Sequence, residues 1–189
     1  VSKTQPAEAV AAAYAAGQRV FGENRVQEAA EKFPALLAAH PAIHLTLIGA
    51  LQSNKAARAV SLCHSIAALD RLKLANVLAQ EMARQHRHPD LLVEVNIGAE
   101  AQKAGILPAA LPMFLAQCHD LGLSVKGLMC IPPQGDDPAP HFTALTRLAD
   151  THHLAVRSMG MSGDFETAIR SGSTQVRVGT ALFGARHKI

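Results

Sequence analysis

Two turns near the end of the chain have the composition of an anion cradle. Ser162-Gly163-Asp164 opens a helical run over 165–171 that Gly172 closes, and the strand-like Thr174-Gln175-Val176-Arg177-Val178 runs into Gly179-Thr180 and a second short helix. Each reads as strand, glycine turn and helix start, which aims unpaired backbone N–H groups and a partial positive charge at an anion. The same residues also suit loop punctuation and ordinary N-caps. Their place in the chain favours the cradle, because the loops after the last two strands of a (β/α)8 barrel are its usual phosphate site.

In such a barrel the C-terminal ends of all strands converge on one mouth. There the sequence offers Lys3, Asn24, Gln52, Asn54, Lys55, Asn96, Lys103, Met129, Ser162, Arg177 and Thr180. A lysine beside a phosphate cradle is what a Schiff base with a phosphorylated aldehyde requires: the amine attacks and the cradle holds the handle. Lys3 taken alone is weak evidence, since a lysine near a terminus is usually just solvated. Arg177 stands between Val176 and Val178 in an otherwise apolar strand, so its charge needs a partner. Two partners fit. One is the ring nitrogen of a pyridine cofactor, which a permanently protonated guanidinium would keep unprotonated and so weaken as an electron sink; the other is a carboxylate on an outer helix.

The elements that must carry these residues alternate. Pro6 starts a helix that Gly17 closes, residues 19–22 form a strand, and a helix runs to about residue 40 with Pro34 marking a break or kink. Further strands fall at 44–48, 64–67, 91–95, 125–129 and 155–158, each followed by a loop and a helix. Asp70 is expected to cap the helix that ends near Gln85. The run 91–95 is apolar almost throughout, as a strand covered on both faces should be. The opening Val1-Ser2-Lys3-Thr4 reads as the end of a strand and the loop after it, so the sequence is expected to start inside a domain. Counting that partial strand gives about eight units, which favours an α/β (β/α)8 TIM barrel over an open doubly wound sheet, with residues 1–189 forming a single domain.

Composition narrows the function classes. Hydrophobic residues make up 49% of the 189 and charged residues 17%, which excludes disorder. A net charge of +3 with 4% aromatics and no long basic run does not predict a nucleic-acid partner. No apolar run is long enough for a membrane span and no signal peptide opens the sequence, so a cytoplasmic protein without a membrane partner is expected. Cys63, Cys118 and Cys130 form no C-x-x-C pair and read as reduced thiols, while the scattered histidines read as surface residues; no metal site is expected.

Several segments together carry a more specific resemblance: Val1-Ser2-Lys3-Thr4, Phe21-Gly22-Glu23-Asn24, Ile48-Gly49-Ala50-Leu51-Gln52-Ser53-Asn54-Lys55, residues 96–105, Gly127-Leu128-Met129, Ser158-Met159-Gly160-Met161-Ser162 and residues 176–184. In this order they resemble the YggS-type pyridoxal phosphate homeostasis family, single-domain relatives of the alanine racemase barrel. The resemblance implies pyridoxal 5′-phosphate (PLP) as cofactor, held as an internal aldimine on Lys3. It further implies phosphate contacts from Ser162, Gly179 and Thr180, Arg177 facing the pyridine nitrogen, Asn24 and Met129 lining the ring, and no catalytic residue. The chain departs from the family pattern at Thr46, where a histidine is frequent, and at its start, where the family has a leading helix and a complete first strand.

The function implied is a non-catalytic carrier that buffers PLP and delivers it to apo-enzymes, acting as a monomer. The alternative is a fold-type III amino-acid racemase or decarboxylase of weak activity. Alanine racemase needs a tyrosine opposite its lysine, and the sole tyrosine here, Tyr14, falls inside the first outer helix. A Schiff-base sugar-phosphate aldolase would share the lysine and cradle but would want an acid or base at the mouth. Lys55, Lys103 and Lys188 could offer secondary aldehyde sites, though ordinary exposed lysines are expected.

Overall fold

The computed structural model describes residues 1–184. Seven strands, β1 (Val20–Glu23), β2 (His44–Leu47), β3 (Ser65–Leu69), β4 (Asp90–Glu94), β5 (Val125–Met129), β6 (Val156–Met161) and β7 (Gln175–Arg177), form one sheet in the order of the chain. Every pairing is parallel. Helices α1 (Ala7–Ala15), α2 (Val26–Ala39), α3 (Ala56–Leu62), α4 (Leu72–Gln85), α5 (Leu111–Asp120), α6 (Pro138–Thr151), α7 (Phe165–Arg170) and α8 (Thr180–Phe183) follow in chain order. Parallel neighbours need such crossovers, and each crossover helix brings its apolar stripe back onto the sheet.

Strand alternation divides the apolar residues into two cores. Leu91 and Val93 of β4, and Ile66 and Ala68 of β3, join the larger core beneath the helices with Phe33, Leu78, Phe114 and Phe142. Their neighbours Leu92 and Ala67 turn the other way and, with Met129, Ile48 and Val156, fill the barrel interior.

The barrel is nearly closed. The opening residues form no strand element, yet Ser2 N–H donates to Gly22 O at 2.9 Å and Val1 N donates to Val178 O at 2.5 Å. They bridge β1 to the chain after β7 at the mouth only. Below that bridge the two sheet edges stand apart along an open seam of about 660 Å³ bordered by Val20, Gly22, Val176 and Val178.

Two local expectations change. Pro34 lies inside α2 without ending it: the helix forgoes one hydrogen bond there, while burial of Phe33 and Leu36 on either side holds it together. Asp70 does not cap α4; its carboxylate pairs with Arg71, which occupies the cap position without a side-chain bond. Helix α6 begins at Pro138, and Asp137 caps it by accepting from Ala139 N at 3.0 Å.

His44 and His64 are not surface residues. Their rings lie 5.0 Å apart near the starts of β2 and β3, His44 Nε2 is 3.2 Å from Ser65 Oγ, and His64 Nδ1 accepts from Leu45 N at 3.1 Å. Burial draws both below the ordinary value of 6.5. A histidine depressed in the folded state stabilises fully above its unfolded value and loses that contribution as pH falls below it. The denaturation midpoint should therefore fall as pH drops from neutral through 6.5, and this loss should shrink when both are replaced by glutamine; a midpoint independent of pH across that window would contradict the assignment.

Cys63, Cys118 and Cys130 are free and buried, and burial pushes their thiols up to about 12, 11 and 12. Among the described residues no group of three or more His, Cys, Asp or Glu could hold a metal ion, and no helix is long and apolar enough to cross a membrane.

Candidate cofactor site

A cavity of about 290 Å³ opens at the C-terminal ends of the strands. Its described lining includes Lys3, Asn24, Ile48, Ile131, Ser162, Gly163, Arg177, Gly179 and Thr180, with two cationic side chains and no carboxylate. Such a cavity favours an anionic ligand with an apolar body.

Lys3 is presented by a tight turn. Gln5 N–H donates back to Ser2 O at 3.1 Å, and Thr4 takes a left-handed φ of 62°. Asn24 is placed by the end of β1, where Ile48 N–H donates to Glu23 O at 2.8 Å. Gly49 completes this junction, because a Cβ there would lie 2.3 Å from Asn24 O and 2.9 Å from its Cα. Gly49→Ala should thus push Asn24 out of the mouth and cost about 2 kcal/mol or more of stability. Chemical denaturation checks this, and a wild-type midpoint would contradict the close approach.

Arg177 reaches across the floor of the mouth from β7. Its Nη1 donates to Ser158 O at 2.6 Å and Ser158 Oγ at 3.1 Å, and its Nη2 to Cys130 O at 2.8 Å. Among the described residues the outer-helix carboxylate considered as a partner is not used; the guanidinium instead donates to the Cys130 carbonyl just after β5 and the Ser158 carbonyl within β6. Burial draws its pKa below the usual arginine value, opposed through space by Cys130, Glu94 and Asp164, none of which lines the cavity.

The cradle forms where β6 and β7 end. Ser162 Oγ accepts long hydrogen bonds from Gly179 N at 3.3 Å and Ala181 N at 3.4 Å, tying the two turns together. Gly163 and Thr180 line the same wall, and their amides make no hydrogen bond among the described residues. Asp164 turns away, accepting from Met161 N at 2.6 Å. Helices α7 and α8 have only six and four residues, so individual N–H groups, rather than a helix dipole, are what this wall offers.

Of the residues anticipated at the mouth, Lys3, Asn24, Ser162, Arg177, Gly179 and Thr180 line one cavity. Met129 sits lower, packed in the barrel interior, and Ile131 takes the place at the cavity wall. Asn96 is spent on its own loop, donating to Glu100 O at 2.8 Å and accepting from Glu100 N at 3.0 Å. Lys103 pairs with Glu100 and donates to Pro132 O at 3.0 Å, while Gln52 and Lys55 border a separate recess. Lys188 lies outside the described residues. Tyr14 is on the outer layer, stacked on His40 at 4.4 Å with the Arg19 guanidinium 4.1 Å from its ring centre.

A family model described as the alanine racemase N-terminal domain matches residues 2–187. The chain belongs to that family, and within it to the pyridoxal phosphate homeostasis proteins. A pyridoxal phosphate homeostasis protein of Vibrio cholerae is 39% identical over 98% of this chain and 84% of its own length. Among solved structures, PipY of Synechococcus elongatus without PLP matches with a TM-score of 0.91 at 40% identity, covering 97% of this chain and 90% of that one. The same protein with PLP bound matches at 0.85 and 39%, with the same coverage.

Glu23 and Lys32, whose side chains pair at 2.7 Å and bond the Ser2–Gln5 turn, were not anticipated. Glu23, sitting between Gly22 and Asn24 at a strand end, was the available signal.

Proposed function

We propose that the protein binds PLP in this cavity and serves its homeostasis as a carrier rather than as a catalyst. The observation that carries the reading is the convergence of Lys3, Arg177 and the amide wall of 162–163 and 179–180 on one cavity without a carboxylate. PLP fits this donor set: a dianionic phosphate against free N–H groups and the Ser162 hydroxyl, a pyridine ring between Ile48 and Ile131, and an aldehyde toward Lys3. When bound, the cofactor supplies an aldehyde carbon that condenses with an unprotonated amine, its oxygen leaving as water. Lys3 offers that amine. Arg177, held by the Ser158 and Cys130 carbonyls, faces the ring nitrogen as a donor and opposes its protonation. Asn24 borders the ring's edge, and Met129 supports the floor from below through Ile48.

A racemase or decarboxylase needs a second proton-transfer group facing Lys3. Among the described lining residues Lys3 and Arg177 are the titratable side chains, and neither supplies one on the opposite side. Delivery to apo-enzymes, action as a monomer and a cytoplasmic setting, which suits three free buried thiols, complete the reading. The test is transfer. Loaded protein separated by dialysis from an apo-aminotransferase should restore its activity at the rate of free PLP release, while incubation with L- and D-amino acids leaves their chirality unchanged. Steady racemisation would establish the catalytic alternative instead.

A further inference from the structure

Beneath Lys3 lies a buried ionic cluster that the site as described does not use. Glu23, the last residue of β1, has a side chain with no exposed surface, and Lys32 of α2 is only 7% exposed; Lys32 Nζ lies 2.7 Å from Glu23 Oε1. Burying such a pair costs several kcal/mol of desolvation per ion, and apolar residues of similar volume often serve stability equally well. Glu23 Oε2 even lacks a hydrogen-bond partner among the described residues. Stability is therefore a poor explanation for the pair.

Its hydrogen bonds give a better one. Lys32 Nζ donates to Ser2 O at 2.8 Å, Gln5 O at 2.9 Å and Glu28 Oε1 at 3.0 Å. Glu23 Oε1 accepts from Ser2 Oγ at 2.7 Å, and Glu28 Oε1 accepts from Thr4 N at 2.5 Å. The backbone on both sides of Lys3 is thus held by Lys32 and Glu28 of α2, Glu23 of β1 holds the Ser2 hydroxyl, and Thr4 keeps its positive φ within that grip.

We propose that Glu23, Lys32 and Glu28 are positioning residues, which fix the Ser2–Gln5 turn so that the Lys3 amine meets the aldehyde of a cofactor held by the cradle. The inference rests on the reading of Lys3 as the cofactor lysine. In the step served, the unprotonated Lys3 nitrogen adds to the aldehyde carbon, a C=N bond forms, and the carbonyl oxygen leaves as water with both amine protons. The cluster gives no atom to that step. Misplacing a reacting group by about 1 Å can slow a reaction a hundredfold, so the effect belongs in the rate of covalent capture.

The experiment compares wild type with Lys32→Met in the full chain, mixing each with PLP and quenching with borohydride at intervals. Thermal denaturation and total PLP retained before reduction are measured in parallel. The variant is expected to retain PLP through the cradle but to be trapped covalently about ten- to a hundredfold more slowly. A merely structural cluster would lower the melting temperature and leave the trapping rate of the folded variant at the wild-type value, which overturns the proposal. Should Lys32→Met not fold, Glu28→Ala decides: it removes the acceptor for Thr4 N from a partly exposed helix position, and a trapping rate equal to wild type again overturns it. Wild-type protein that traps PLP on no peptide would refute the reading of Lys3 itself, a result separable from an unchanged variant.

Discussion

Lys3→Ala should abolish covalent retention of PLP and weaken its binding by about a hundredfold, equivalent to about 2.8 kcal/mol. The cradle and Arg177 stand on other elements and survive the change, so residual, reversible binding is expected through the phosphate. The turn should also survive, because Ser2, Thr4 and Gln5 each hold it through bonds of their own. Desalting loaded protein and measuring retained cofactor checks this. A variant that keeps PLP through desalting as wild type does would assign the linkage to another lysine.

Arg177→Met is expected to act on both fold and site. The side chain is nearly volume-matched, but three hydrogen bonds from a charged donor disappear: the Cys130 carbonyl and the Ser158 hydroxyl lose a buried donor, and Ser158 O keeps the long bond from Cys130 N at 3.3 Å. A loss of about 3 kcal/mol follows from the cost of unsatisfied buried acceptors. The bound cofactor should also change, because a ring nitrogen no longer faced by a permanent cation becomes free to take a proton. The expected signature is a lower denaturation midpoint together with a pH-dependent visible spectrum absent from wild type. A stable variant with an unaltered spectrum would remove Arg177 from both roles.

Residue types made much of this site legible in the chain. Lys3, Asn24 and Arg177 are polar groups at strand ends, and the glycine and hydroxyl residues of the two closing turns, which also suit ordinary caps, were singled out by their place after the last two strands. Parity along a strand was legible too: Met129 does face the barrel interior. Its height was not, because each further pair of residues climbs about 6.6 Å, and irregular registers in β4 and β6 shift which residue reaches the rim. Ile131 rather than Met129 reaches it. The ionic cluster was hidden for a different reason. Lys32 stands four residues after Glu28, a spacing that reads as an exposed helix pair, and only the packing of α2 under the first turn buries it.

The most direct test of the account is to load the protein with PLP, reduce it with borohydride, digest it and locate the modified peptide by mass spectrometry. The structure predicts a single modified site, on the peptide carrying Lys3, with Lys55 and Lys103 unlabelled. Label distributed over those lysines, or none on Lys3, would contradict the claim that the cavity at the barrel mouth is built around it.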